Sequence, residues 1–160
     1  MREPFARLFV HLVWATWDRL PLITGDIQPR LYRCIQGEAH RLGAQVIAIG
    51  GIEDHVHVLL KYPPSVAISD LLKQMKGVSS RLVHDQIAPG DFFKWQGAYG
   101  AFSIAERDVP MVRRYVHRQE EHHRTGRLNA TLERTLSDDP ALDVDDHRTP
   151  SHRRHSALSE

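Results

Sequence analysis

Two apolar runs lie almost back to back in the middle of the chain, and that adjacency limits the fold more than any other feature. "AQVIAIGGI" (44–52) and "HVHVLLKY" (55–62) are separated only by Glu53 and Asp54. Both are strand-length and rich in β-branched residues, and so short a link joins antiparallel neighbours as a hairpin. Pro63 and Pro64 stop the second run. Before the hairpin, "ARLFVHLVWATW" (6–17) alternates as a strand, and "GDIQPRLYRCIQGEAHRLG" (25–43) predicts a helix with Pro29 near its start and Gly43 ending it. After it, "SVAISDLLKQMKGVSSRLVHDQ" (65–86) sets Ile68, Leu71, Leu72, Met75, Val78, Leu82 and Val83 at helical spacing. The loop "APGDFFKWQG" leads to a fourth strand, "AYGAFSI" (98–104), and one last helix, "ERDVPMVRRYVHRQEEHHR" (106–124).

The order strand, helix, strand, strand, helix, strand predicts an α+β domain of ferredoxin-like or RRM-like form. Such a βαββαβ core makes one antiparallel sheet with two helices on a single face. The final helix is an addition that packs on this subunit or on a neighbour. Fold alone fixes no activity.

Residues 1–136 read as one domain. The polar, Pro-containing stretch 137–160 lacks apolar periodicity and reads as a disordered tail, where His147, His152 and His155 have no regular metal-ligand spacing. The lone Cys34 excludes an internal disulfide or a multi-cysteine zinc site. There is no apolar run of membrane-spanning length, and the start lacks the order of a signal peptide. The expectation is a cytoplasmic protein with no membrane partner. Lys and Arg outnumber Asp and Glu 18 to 14 over residues 1–136, and Arg outnumbers Lys 17 to 4 in the chain. An Arg-rich body suits phosphate contacts, although a solvated surface accounts for the same charge.

The hairpin's second strand carries His55 and His57 at alternate positions. With a period of two they share one face with Leu59, while Val56, Val58 and Leu60 face the helices. The imidazoles stand about 7 Å apart along the strand. On the side away from the core they are poor packing material but good ligands for a divalent ion. Asp54 and Glu53 either supply an outer carboxylate or solvate the turn. In the last helix Tyr115 and Gln119 are four apart and share a face, beside an apolar stripe of Val109, Val112 and Val116. A glutamine oxygen can ligate Mg²⁺ or Mn²⁺, and a phenol near a metal can act as a nucleophile. Packing and solvent-facing roles for Tyr115 and Gln119 stay open on the residues alone. His11 alternates with core positions and reads as structural; His117, His122 and His123 read as surface residues.

Four stretches in register, "EDHVHVLL", "LLKQMKGVSS", "WQGAYGAFSI" and "YVHRQEEHH", together with "HLVWATWDRLPLI", resemble the transposases of the IS200/IS605 insertion-sequence family. These are HUH (His, hydrophobic, His) single-strand endonucleases with one catalytic tyrosine. The similarity covers roughly residues 5–130. Relatives associated with repetitive extragenic palindromes share the same core. The resemblance implies that His55 and His57 hold a divalent metal, Mg²⁺ or Mn²⁺, with Gln119 as third ligand. It implies Tyr115 as the nucleophile that makes a 5′-phosphotyrosine link in single-stranded, hairpin-bearing DNA. It also implies a homodimer in which the tyrosine helix of one subunit can complete the other's site.

Transesterification of this kind keeps the bond energy and needs no ATP, in keeping with the lack of a GxxxxGK[ST] loop. Lys73, Lys76, Arg81, Arg114 and Arg118, with Arg113, are candidates for phosphate contacts, and Trp95 or Tyr99 for base stacking, with core or strand packing an equal alternative for both aromatics. Two other readings stay open here: a non-catalytic module that grips hairpin DNA or RNA, and a metal-dependent phosphodiesterase with a structural tyrosine.

Overall fold

The computed structural model describes residues 2 and 4–135, so the 137–160 tail lies outside the described residues. Four strands, β1 (Phe9–Ala15), β2 (Gln45–Ile52), β3 (His55–Lys61) and β4 (Gly100–Ile104), form one sheet in the order β2-β3-β1-β4. Every pairing in it is antiparallel. This is the expected α+β, ferredoxin-like sheet. The two inner strands β1 and β3 are buried almost throughout, as strands covered on both faces must be.

Helices α1 (Gln28–Arg41) and α2 (Ile68–Leu82) cover one face. They close a core of Val10, Leu12 and Trp14 from β1, Val56, Val58 and Leu60 from β3, and Leu31, Ile35, Leu71, Leu72 and Met75 from the helices. Pro29 opens α1 where its missing N–H costs nothing, and Gly43 takes φ 85° just past its end. The helical geometry of α2 gives way to a π turn over Val83–Ile87 rather than running regularly to residue 86.

The opposite face is covered too. Helix α3 (Val109–His117) lays Val112, Tyr115 and Val116 on Ala48 and Leu59. A nine-residue helix is marginal by itself in water; burying two valines, at about 1.5–3 kcal/mol each, fixes it to the sheet. The expected single last helix is in fact two. Arg118 (φ −108°, ψ 27°) separates α3 from α4 (Gln119–Thr125). Its N–H is shared between the Arg114 and Tyr115 carbonyls, which tightens the turn and ends regular α-helical bonding. Among the described residues no helix is long and apolar enough to cross a membrane.

Close approach of α3 depends on Gly50 in β2. A Cβ at that position would fall well inside contact distance of the Val116 carbonyl oxygen. Gly50→Ala is expected to lose about 1–3 kcal/mol of stability, as overpacking does, measured as a lower urea midpoint with an unchanged slope.

Candidate active site

His55 and His57 project from β3 toward α3, and both are fully buried. The side expected to face away from the core is therefore an enclosed one, because α3 and the segment after α4 roof it. Each imidazole is oriented through Nδ1. His55 Nδ1 is 2.6 Å from Asp54 Oδ1. Asp54 is itself held by its backbone: its carbonyl accepts from the Thr16 N–H at 2.9 Å, while Glu53's accepts from Ile23. His57 Nδ1 is 2.9 Å from Nε2 of His11 on β1. His11 is thus a buried neighbour of the site and not only a packing residue. Burial holds its pKa down to about 3, with the nearby His57 adding to the effect.

The Nε2 atoms of both histidines face a shared polar centre. Gln119, buried at the start of α4, brings Oε1 to 3.3 Å from His55 Nε2. His123, one turn further along α4, brings Nε2 to 3.2 Å from the same atom. The expectation that His122 and His123 lie on the surface is corrected in part: both are half-buried, with one side turned to the site, and His122 stacks on the Tyr115 ring, centroids 4.7 Å apart. The spacing was a usable signal, since Tyr115, Gln119 and His123 recur every four residues.

Glu133 completes the centre, and no periodic segment pointed to it. It lies in a turn organised by Asn129, whose Oδ1 accepts from the Thr131 and Leu132 N–H groups. Leu132 is buried against the α3 side of the sheet and anchors the segment. Glu133 Oε2 then stands 3.5 Å from His55 Nε2, 3.4 Å from His57 Nε2 and 3.9 Å from His123 Nε2. Its Oε1 accepts the Tyr115 hydroxyl proton, while the Asn129 N–H donates to the same phenol oxygen at 3.0 Å. The Tyr115 ring meets His57 edge-on, centroids 6.0 Å apart.

These contacts set the electrostatics. Burial and the carboxylate beside it push the Tyr115 phenol up to about 12. Burial alone would raise the Glu133 carboxyl, but the hydrogen bond and charge of His57, helped by Tyr115 and His55, outweigh it and leave the group at about 2. Burial lowers the pKa of His57 and of His123. Tyr115 is therefore held as a neutral phenol. The donor set itself suits a divalent cation: His55, His57 and Glu133 each offer one ligand atom, all within 4.8 Å of one another, with the Gln119 oxygen alongside.

With this geometry in view, the kinship of the chain follows from direct comparison. Residues 5–119 match the family described as Transposase IS200 like. The chain belongs to the IS200-like transposase family. It is 26% identical over 122 residues to the ISDra2 transposase TnpA of Deinococcus radiodurans, covering 72% of this chain and 86% of that protein. A crystal structure from D. radiodurans R1, solved as a candidate transposase, superposes with TM-score 0.56 at 24% identity over 74% of this chain and 95% of that one. A REP-associated tyrosine transposase bound to a REP hairpin superposes with TM-score 0.58 at 15% identity, over 77% and 73% respectively. These structures share the fold of this IS200-like transposase.

The expected DNA-contacting residues divide. Trp95 is buried, donates Nε1 to Ser79 Oγ at 3.0 Å and packs edge-on against Trp14 and Phe93. Burial leaves no ring face open to a base. Lys76 directs its ammonium to the Gln96 and Gly97 carbonyls at 2.6 and 3.2 Å and thereby ties down the loop before β4. Lys73 and Arg81 are exposed on α2, which packs on the sheet face opposite the histidines. Arg114 and Arg118 are exposed and, with Arg113, line a groove along α3, on the site's own side. Tyr99 is 40% exposed just before β4.

Glu133→Gln removes the charge that opposes phenol ionisation while keeping the size of the side chain. Tyr115 is then expected to ionise closer to 10, read as an earlier rise in tyrosinate absorbance that a Tyr115→Phe background lacks. The wild-type Glu133 also contributes stability that is present above its ordinary value near 4.5 and is lost as pH falls toward 2. The Glu133→Gln protein is expected to lose less stability across that acid window.

Proposed function

We propose that this protein cleaves and rejoins single-stranded DNA at hairpin-bearing ends, through a covalent 5′-phosphotyrosine intermediate on Tyr115. One observation carries the reading: the Tyr115 hydroxyl and the two β3 imidazoles meet on a single carboxylate, Glu133. A nucleophile and a ligand set so closely shared have no use in a packing core. They have one in phosphoryl transfer, and membership of a transposase family supports that reading.

In this reading His55, His57 and Gln119 hold a divalent cation, Mg²⁺ or Mn²⁺, with Glu133 as a further ligand. Once bound, such a cation would offset the charge of the scissile phosphate and polarise its P–O bonds. The chain's own residues do the rest. Tyr115 Oη gives up its proton to solvent and forms a bond to phosphorus; the bond from phosphorus to the 3′ oxygen breaks, and that oxygen takes up a proton from solvent as a free 3′-OH. Attack by another 3′-OH reverses these changes and joins the strands. Glu133 at about 2 is far too weak a base to hold the proton of a phenol at about 12. Its hydrogen bond keeps the nucleophile neutral until the phenol leaves it. Asp54 and the β2–β3 turn fix His55, and Arg114 and Arg118 hold backbone phosphates on the α3 side. The REP-associated relative is bound to a REP hairpin, and a hairpin-bearing DNA ligand is extended here to this chain.

Within one chain the Tyr115 hydroxyl already reaches the carboxylate shared by the two histidines, the arrangement that action in cis requires. A homodimer that exchanged tyrosine helices would rebuild the same site from two chains.

Incubation with labelled single-stranded hairpin oligonucleotides and Mn²⁺ or Mg²⁺ is expected to give a protein–DNA adduct that survives denaturing gels. Tyr115→Phe and His57→Ala are each expected to abolish it. Tight binding of the flanking DNA of the gene with no adduct in either metal would instead identify a non-catalytic hairpin-binding module. Mixing the two variants gives a separate result: no adduct if the tyrosine acts in cis, restored adduct if it acts across a dimer.

A further inference from the structure

The two β3 histidines are gripped by different chemistry. Behind His55 stands a carboxylate, Asp54; behind His57 stands another imidazole, His11. In the β1–β3 ladder Val13 faces His57 and Leu59 faces His11, so His11 reaches His57 on the diagonal. The rings lie 5.0 Å apart at 25°, and Phe102 packs on the far side of His11 at 6.0 Å. His11 is fully buried, and its Nδ1 has no hydrogen-bond partner among the described residues. A leucine or phenylalanine would fill this volume without stranding a nitrogen of its own, but would leave the buried Nδ1 of His57 without its partner. Packing alone therefore does not account for an imidazole here.

We infer that His11 is a positioning residue for the metal ligand His57: its Nε2 accepts the Nδ1 proton of His57 and so presents the Nε2 lone pair of His57 to a divalent cation. The inference rests on the proposed metal role of the histidine pair. A neutral imidazole has one N–H and one lone pair. With the proton on Nδ1, Nε2 is free to ligate. With the opposite tautomer, an N–H points at the cation and the ligand is lost. An ionised carboxylate can only accept, as Asp54 does for His55. His11 does the same for His57 without placing a second anion in the closed space that already contains Glu133. The stranded Nδ1–H of His11 is the local cost of that arrangement. Outer partners of this kind are worth 10- to 100-fold in metal affinity.

The test titrates Mn²⁺ calorimetrically into the full chain as wild type, His11→Phe and His11→Gln, with metal-free melting temperatures measured alongside. Glutamine sets an amide oxygen where His11 Nε2 stands; phenylalanine offers the volume and no acceptor. His11→Phe is expected to bind Mn²⁺ about 10- to 100-fold more weakly while melting no lower than wild type, and His11→Gln to recover most of the affinity. Wild-type affinity in His11→Phe overturns the inference, as does an equal loss in both variants, which would make position 11 a packing site. A wild-type chain that binds no Mn²⁺ sinks the metal reading, and the inference with it. Should His11→Phe fail to fold, the wild type decides by ¹⁵N imidazole spectra with Zn²⁺ as a diamagnetic probe. A proton on His57 Nδ1 is expected there; a proton on Nε2 overturns the inference.

Discussion

The packing of Val112 and Val116 on Ala48 and Leu59 is the contact on which the rest of this molecule depends. Without it, β3 would present two imidazoles to water on an ordinary half-solvated sheet. With it, the same strand is covered on both faces and its polar positions lie in a closed space. Interactions between charges and dipoles are strengthened there, and every unpaired polar atom becomes costly. The hydrogen bonds follow from that enclosure: Asp54 to His55, His11 to His57, Gln119 and His123 to His55, Tyr115 to Glu133. Each of these side chains finds another of the site, while Nδ1 of His11 is left without a partner among the described residues.

Glu133 decides the resting character of the centre. Its two oxygens face different partners, one the phenol and the other the imidazole nitrogens. The first contact disfavours the phenolate; the second supplies an anionic donor where a cation would bind. The phenol and the histidine pair are therefore coupled through one side chain. That side chain is carried by a turn with a single buried leucine as its anchor.

Much of this was legible in the sequence, for physical reasons that differ from element to element. The β2–β3 hairpin and the β1 alternation were plain, because strand period and a two-residue link leave few alternatives. The facing of His55 and His57 followed from the same period. That their face would be buried did not, since the landing place of α3 is a tertiary matter that a helical stripe does not specify. The break at Arg118 was hidden because Tyr115 through Arg124 contains neither proline nor glycine. Trp95 could be read as packing or stacking, because the partners that decide it, Trp14 and Ser79, come from distant parts of the chain. Glu133 had the weakest signal of all: one leucine and an Asx-forming Asn129 in a short polar stretch.

The roof over the histidines touches the sheet at two places through main chain rather than side chain. At Gly50 the near atom is the Val116 carbonyl oxygen, and at Gly100 it is that of Arg134. Carbonyl oxygens are common to every residue type, so these two spacers keep their thickness whatever substitutions the roof accumulates. The clearance above the polar centre is thereby set independently of the outward-facing residues of α3 and of the 127–135 segment. Substitutions on the outer surface therefore leave the headroom over the polar centre constant, provided both glycines are kept.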